Sequence, residues 1–248
     1  MNSIIKKYKN PIIYLITIIF IFLFWLVISL AIDSNLILPS PISLIKELLF
    51  FFKDSSFYLS LLYTTLRAII AFILSAFIAT VLMILSINQN LKRAISLLVS
   101  ILRGLPTMAI ILILIIWMKP QITPIVVATL VLIPILYEEF INTFFLFKEE
   151  YGSVIFVYSI KKKKMLKLFF SESLDNLFNY ASANIGLSLK LVISAEALAL
   201  SYYGIGSIMQ FSKIYLEMEK LFALALVAVI LGVILQLLVK LIKKRWVK

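Results

Sequence analysis

Six apolar runs dominate the chain, at about 11–32, 59–87, 94–118, 122–147, 180–202 and 221–242. A hydrocarbon layer of about 30 Å needs roughly 20 apolar residues in a helix rising 1.5 Å per residue, and each run meets that length. Hydrophobic residues make up 63% of the 248, against the usual ~45–50% of a soluble domain. The expected fold is all-α and integral to the membrane, with six transmembrane helices in a single domain over 1–248. No small-residue cleavage site follows the first run, so it reads as a retained span rather than a signal peptide.

The basic residues give the orientation. With the N-terminus inside, Lys6, Lys7, Lys9, Lys92, Arg93, Lys148, Lys161, Lys162, Lys163, Lys164, Lys167, Lys240, Lys243, Lys244, Arg245 and Lys248 all fall on the cytoplasmic side. Only Lys46, Lys53, Lys119, Lys213 and Lys220 fall opposite. That asymmetry follows the positive-inside rule and predicts cytoplasmic N- and C-termini. It also accounts for the net charge of +12 without nucleic acid, for which no face shows aromatic and basic residues interleaved. The chain has no Cys and no His, which removes thiolate chemistry, the commonest metal ligand and the commonest general base. With no H-E-x-x-H and no Gly-rich phosphate loop either, neither a catalytic centre nor a metal site is expected, and ATP is not hydrolysed by this chain.

Between the spans, Leu38-Pro39-Ser40-Pro41 holds the backbone extended and then opens a helix, with Ser40 as cap and Pro41 in the first turn. Ile42, Leu44, Ile45, Leu48, Leu49 and Phe52 make that helix amphipathic, suited to lying along the outer surface. In the second span, Ala68, Ala71, Ala76 and Ala79 mark a face for close helix packing, and Arg67 is expected to snorkel to the interface. Arg103-Gly104-Leu105-Pro106 breaks or kinks the third span. Pro124 and Pro134 bracket the fourth, with Glu138 and Glu139 after them.

Charges inside apolar spans cost about 2.5–3.5 kcal/mol at the bilayer centre, so Arg103, Glu138, Lys190 and Glu196 are candidates for a substrate path or for intramembrane pairing. Arg103 is a possible counter-ion to the two glutamates. Lys190 and Glu196, six residues apart on one helix, point in different directions and should pair with other helices. Gly204 and Gly206 are expected to end the fifth span and permit a tight reversal.

The longest polar interruption, 147–172, is neither a span nor a flexible linker. Tyr151, Val154, Ile155, Tyr158 and Ser159 place apolar residues on one face of a short helix, followed by the run Lys161, Lys162, Lys163 and Lys164. An exposed apolar face needs a partner.

Taken in order, Leu38-Pro39-Ser40-Pro41, Thr65-Leu66-Arg67, Arg103-Gly104-Leu105-Pro106, Pro134-Ile135-Leu136, the basic helical loop, and Ala195-Glu196 before Gly204-Ile205-Gly206 resemble the permease subunit of bacterial ABC importers. The branch is the one associated with nitrate, sulfonate, taurine and thiamine-precursor uptake, and the resemblance runs from about 36 to 244. It implies a multi-pass protein of the bacterial cytoplasmic (inner) membrane, paired with a second permease copy as a homodimer or in a heterodimer. It also implies two ABC ATPase subunits that bind the ATP and Mg, and an extracytoplasmic substrate-binding protein. The family's cytoplasmic loop carries E-A-A-x3-G-x9-I-x-L-P, whose short coupling helix docks on the ATPase. In this chain Ser153, Val154 and Ile155 stand at E-A-A, Ser159 at the glycine, Phe169 at the isoleucine, and Ser171 and Glu172 at L-P.

The acidic residue, glycine and proline of that motif are therefore absent, and without the glycine the loop is expected to run straighter. The coupling residues implied are Tyr151, Ser153, Val154, Ile155, Tyr158, Ser159, Lys161 and Lys162, with the lysines facing acidic groups on the ATPase or anionic membrane lipid. Two other readings stay open: a scaffold component of a vitamin-type ATP-driven transporter, and an intramembrane enzyme acting on lipid.

Overall fold

A chain in lipid must satisfy its backbone polar groups internally, which turns long apolar runs into helices. The computed structural model describes residues 11–246; Lys6, Lys7, Lys9 and Lys248, used above for orientation, lie outside the described residues. The described residues form ten helices and no strand. They are α1 (Pro11–Ile32), α2 (Pro41–Phe51), α3 (Ser55–Leu85), α4 (Gln89–Gly104), α5 (Thr107–Trp117), α6 (Thr123–Val157), α7 (Lys162–Glu172), α8 (Leu174–Ala199), α9 (Ile205–Ile214) and α10 (Met218–Trp246).

Five of these, α1, α3, α6, α8 and α10, are long and apolar enough to cross a membrane. The expected third span is not continuous. α4 and α5 meet at a 91° bend, so the sixth crossing exists only as a broken pair. Pro106 lacks a backbone N–H and drives the residue before it out of the helical region, and Leu105 is accordingly extended at φ −75°, ψ 127°. Eleven residues of α5 rise only about 16 Å, too short to span alone.

α6, by contrast, runs on past its expected end. Its 35 residues continue to Val157 with Pro134 inside the helix, so Pro134 does not bound the span as anticipated. The short helix expected around 151–159 is the tail of this long one, because Lys148, Glu149 and Glu150 are sound helix formers and nothing there stops the ladder.

α3, α6 and α8 pack together at the centre. Ala68, Ala71 and Ala79 are fully buried on α3, as the small-residue stripe requires, and let it approach its neighbours closely. Hydroxyls stitch the contact: Ser188 Oγ on α8 donates to Ala68 O at 2.7 Å, and Ser75 Oγ on α3 reaches Thr129 O on α6 at 3.3 Å. Asp54 caps α3, and the Ser56 hydroxyl, followed by its amide, holds the Asp54 carboxyl below the usual carboxylate range.

Ser40 caps α2 as expected, accepting from Ser43 N at 3.1 Å. α2 does not simply lie along a surface, however. Leu44 and Phe51 are buried in the same core as Leu224 and Leu231 of α10, while Ile42, Ile45 and Leu49 face outward. α1 stands apart, with nearly all its large apolar side chains exposed and suited to lipid.

Candidate functional site

Three places gather the chemistry: a buried charge cluster where α3, α8 and α9 meet, the charged residues around α4 and α6, and the elbow between α6 and α7.

The first cluster overturns the reading of Arg67. Its side chain does not snorkel; the residue is 5% exposed, and Nη1 donates to Glu196 Oε1 at 2.7 Å. Nη2 donates to Tyr202 O at 2.9 Å, and Nη1 also reaches Tyr203 O at 3.3 Å. Glu196, 0% exposed, accepts in addition from Thr64 Oγ1 at 2.9 Å and from Gly206 N at 3.2 Å. The carboxylate therefore sits against the N-terminus of α9, where the orphan amides and the helix dipole both favour an anion. Thr64 Oγ1 accepts from Ile205 N at 3.0 Å, completing that cap from another helix.

The glycines serve this cluster differently from expectation. Neither Gly204 nor Gly206 supplies a positive φ; the reversal is made by Leu200 and Tyr203, at φ 51° and 49°. Gly206 is needed for close approach, since a Cβ there would overlap the Ile193 carbonyl oxygen and press on Glu196.

The second place confirms one pairing. Arg103 forms an ion pair with Glu138, joining the α4–α5 break to α6, and both side chains are substantially exposed. Glu139 is held separately, accepting from Asn184 Nδ2 at 2.7 Å. Lys190 is exposed on α8, beside a shallow groove that also includes Gly186, Gly232 and Gln236. It points away from the buried Glu196, as their spacing required.

The third place is the elbow, which bends although the glycine is absent. Ser159 adopts the left-handed conformation at φ 46°. Ile160 N donates to Ile155 O and Ser159 N to Phe156 O, at 3.0 and 3.1 Å, which is a Schellman cap with serine in the usual glycine position. The expectation of a straighter loop therefore fails. The cap's hydrogen bonds and the burial of Ile155 and Ile160 against the core outweigh the left-handed penalty of about 1–2 kcal/mol.

α7 then folds back along α6. Phe169 is fully buried, with ring centroids 5.3 Å from Phe144 and 5.6 Å from Phe147, and Tyr151 stacks on Phe147 at 5.0 Å. Only Ser173 separates α7 from α8. The face expected to dock is thus divided. Tyr151 and Ile155 pack inward on the Met165 and Phe169 cluster. Ser153, Val154, Tyr158, Ser159, Lys161 and Lys162 point outward, and the tip is completed by Phe156 and Val157, which are 85% and 73% exposed.

This arrangement has a solved counterpart. The chain shares its fold with a chain in the crystal structure of inward-facing conformations of the MetNI methionine ABC transporter. The likeness has a TM-score of 0.63 at 16% identity and covers 78% of this chain and 95% of the MetNI chain. No family model and no curated protein matches the sequence. The MetNI likeness thus rests on helix arrangement, while the buried pair and the elbow rest on this chain's own side chains.

Sequence reasoning passed over the Arg67 partnership and the Phe156-Val157 tip. The first had a signal: Thr64, Ala68 and Ala71 share one helical face, and Arg67 lies three residues from Thr64 at its edge. An arginine bordering a packing face is buried with it and must find a carboxylate. The second had none, because only the actual course of α6 brings two off-stripe residues to its end.

Proposed function

We propose that this chain is the membrane-spanning permease subunit of an ATP-driven ABC importer in the bacterial cytoplasmic membrane. The observation that carries the reading is the fold shared with the MetNI chain across 95% of that chain's length. The sequence resemblance to the nitrate, sulfonate, taurine and thiamine-precursor branch points the same way and supplies the finer assignment. In this reading both termini are cytoplasmic. A second permease copy pairs with this one, and an extracytoplasmic protein delivers substrate. Two ATPase subunits carry the ATP and Mg.

The elbow is the element that docks on the ATPase. Phe156, Val157 and Tyr158 form an exposed apolar tip, and such a tip in water gains from burial at roughly 25 cal/mol per Å² of apolar area. The Phe144–Phe147–Phe169 stack fixes α7 rigidly to α6, so force applied at the tip reaches the spans as rigid-body motion. Arg103 with Glu138, and Lys190, are charges available to a path between two copies; Glu196 holds α9 in place.

The test is co-expression with an ABC ATPase subunit from the same genome, identified by mass and by ATP hydrolysis after purification. The paired substitution Phe156→Ala and Tyr158→Ala should abolish its recovery while leaving the helical content of the chain unchanged. Undiminished recovery would refute docking through the elbow, and no ATPase recovered with the unaltered chain would refute the transporter reading.

A further inference from the structure

Beside the Arg67–Glu196 pair lies a pocket of about 490 Å³, bordered by Tyr63, Leu66, Arg67, Gln121, Tyr202 and Tyr203 among others. Small-molecule sites occupy about 300–1,000 Å³ and are mostly apolar, with a few placed polar groups. Arg67 is the only charged residue lining this one, and Glu196 already neutralises it. The hydrogen bonds of Arg67 all leave from Nη1 and Nη2, and its guanidinium carries more N–H donors than these three bonds use. Nε donates to nothing among the described residues, yet it is not one of the polar atoms sealed in the core. A side chain only 5% exposed thus keeps spare donors, and the open space it borders is the pocket.

The walls are aromatic. Tyr63 and Tyr203 stack with ring centroids 5.6 Å apart and 20° between their planes, and the Arg67 guanidinium carbon stands 5.8 Å from the Tyr63 centroid. Stacked pairs run to about 4.5–7 Å between centroids, so that pair is closed and admits no third ring. Tyr202 differs: it is 72% exposed and stacks on no other ring among the described residues. An aromatic belt at a membrane surface accounts for exposed tyrosines, but not for a buried guanidinium with spare donors beside them. Wall and floor are also one unit, because Arg67 holds the carbonyls of Tyr202 and Tyr203 while both residues border the opening. The site is built before a ligand arrives, which lowers the cost of binding.

We propose that this pocket binds a small, flat, uncharged ring carrying a hydrogen-bond acceptor, with the ring on the free face of Tyr202 and the acceptor on the spare donors of Arg67. Charge decides against the other classes. A cation would meet Arg67 and no free carboxylate, because Glu196 is fully buried and already accepts from Arg67, Thr64 and Gly206. An anion would set a second negative group on a guanidinium that Glu196 has neutralised, where water screens little. A neutral acceptor satisfies the donor and adds no charge. As a contact for transported substrate the site rests on the permease reading; as a binding site it does not.

The experiment holds the full chain in phosphatidylcholine nanodiscs, with empty nanodiscs as the partition control. Benzamide, cyclohexanecarboxamide, benzoate and phenyltrimethylammonium are titrated by saturation-transfer NMR. Benzamide is the flat neutral acceptor, and for so small a molecule the expected Kd is about 1–10 mM. The other three should each bind at least about fivefold more weakly. Tyr202→Leu keeps apolar bulk but loses the flat face, and should weaken benzamide by about 3- to 10-fold. Tyr202→Phe should stay within about twofold, and neither change removes the backbone carbonyl that Arg67 uses. Equal binding of benzamide and cyclohexanecarboxamide, tighter binding of benzoate or of the ammonium, or indifference to Tyr202→Leu would each overturn the proposal. So would a shift of the Tyr202→Leu chain from dimer to monomer in sedimentation, which would assign the ring to a second copy. No benzamide binding beyond that of empty nanodiscs would overturn it and leave the permease reading intact. Failure to recover an ATPase would instead remove the transport role and leave the measured binding site standing.

Discussion

Removing either member of the Arg67–Glu196 pair should cost far more than removing both. Each side chain is almost wholly buried, and each has further partners that the other's loss would not replace. Changing Glu196 to Gln leaves the buried Arg67 guanidinium with neutral acceptors only, the amide oxygen and the carbonyls of Tyr202 and Tyr203. Changing Arg67 to Met leaves a carboxylate supported by Thr64 and the Gly206 amide alone. Stranding a buried charge typically costs about 3–5 kcal/mol. The double variant strands none, so its loss should be about 1–3 kcal/mol, reflecting the hydrogen bonds no longer made to the Tyr202–Tyr203 turn and the weaker ones a neutral amide makes to Thr64 and Gly206. The coupling energy between the two sites is then about 3 kcal/mol or more. It can be read from circular-dichroism titrations in mixed dodecylmaltoside and SDS micelles, taken for all four chains at one protein concentration. If the double variant loses the sum of the two single losses, within about 0.5 kcal/mol, the pair is not a coupled unit and the reasoning is refuted.

Glycine substitutions offer a matched contrast. Gly206→Ala should destabilise by about 1–3 kcal/mol or more through steric overlap with Ile193 and Glu196. Gly152→Ala, where a Cβ meets nothing within 4 Å, should leave the melting temperature unchanged or raise it. Ser159→Gly should stabilise by roughly 0.5–1 kcal/mol by relieving the left-handed serine, offset in part by the entropy of an unfolded glycine; a lower melting temperature would show the serine side chain to matter. Phe169→Ala should cost about 3–5 kcal/mol and open the turn at 158–161 to limited proteolysis, readable as a new fragment by mass. A fragment pattern identical to that of the unaltered chain would show that the aromatic stack does not hold the elbow.

What the sequence disclosed divides along physical lines. Hydrophobic length gave the spans, since nothing else competes with apolarity over 20 residues, and proline chemistry gave the break at Leu105-Pro106. Ser40 as a cap and the alanine stripe were equally plain. The helix ends were not, because this chain places Asp33, Ser159, Leu200, Tyr203 and Leu216 in the left-handed region and none of its glycines. A reader looking for glycine at those turns finds the wrong residues. Pairings between distant helices were half visible. Arg103 with Glu138 followed from the cost of isolated charge. Arg67 was misplaced because its nearness to the start of α3 suggested escape to water, whereas the turn after α8 closes over it. The exposed Phe156-Val157 tip depended on where α6 stops, which is set by a Schellman cap on a left-handed serine and by contact with α7, neither of which carries the usual glycine signal.

Pro134 gives the overhang of α6 a mechanical meaning. A proline inside a helix removes one rung of the ladder and makes bending there cheaper than elsewhere, and from Pro134 to Val157 the helix extends about 34 Å. A tilt of about 10° at that point would carry the tip sideways by about 6 Å, roughly the pitch of one helical turn. α6 is in effect a lever with its fulcrum among the buried side chains of α3 and α8, its short arm running back to Thr123 and its long arm ending at the exposed elbow. Small strains in the core and large displacements at the elbow are then the same motion seen from its two ends.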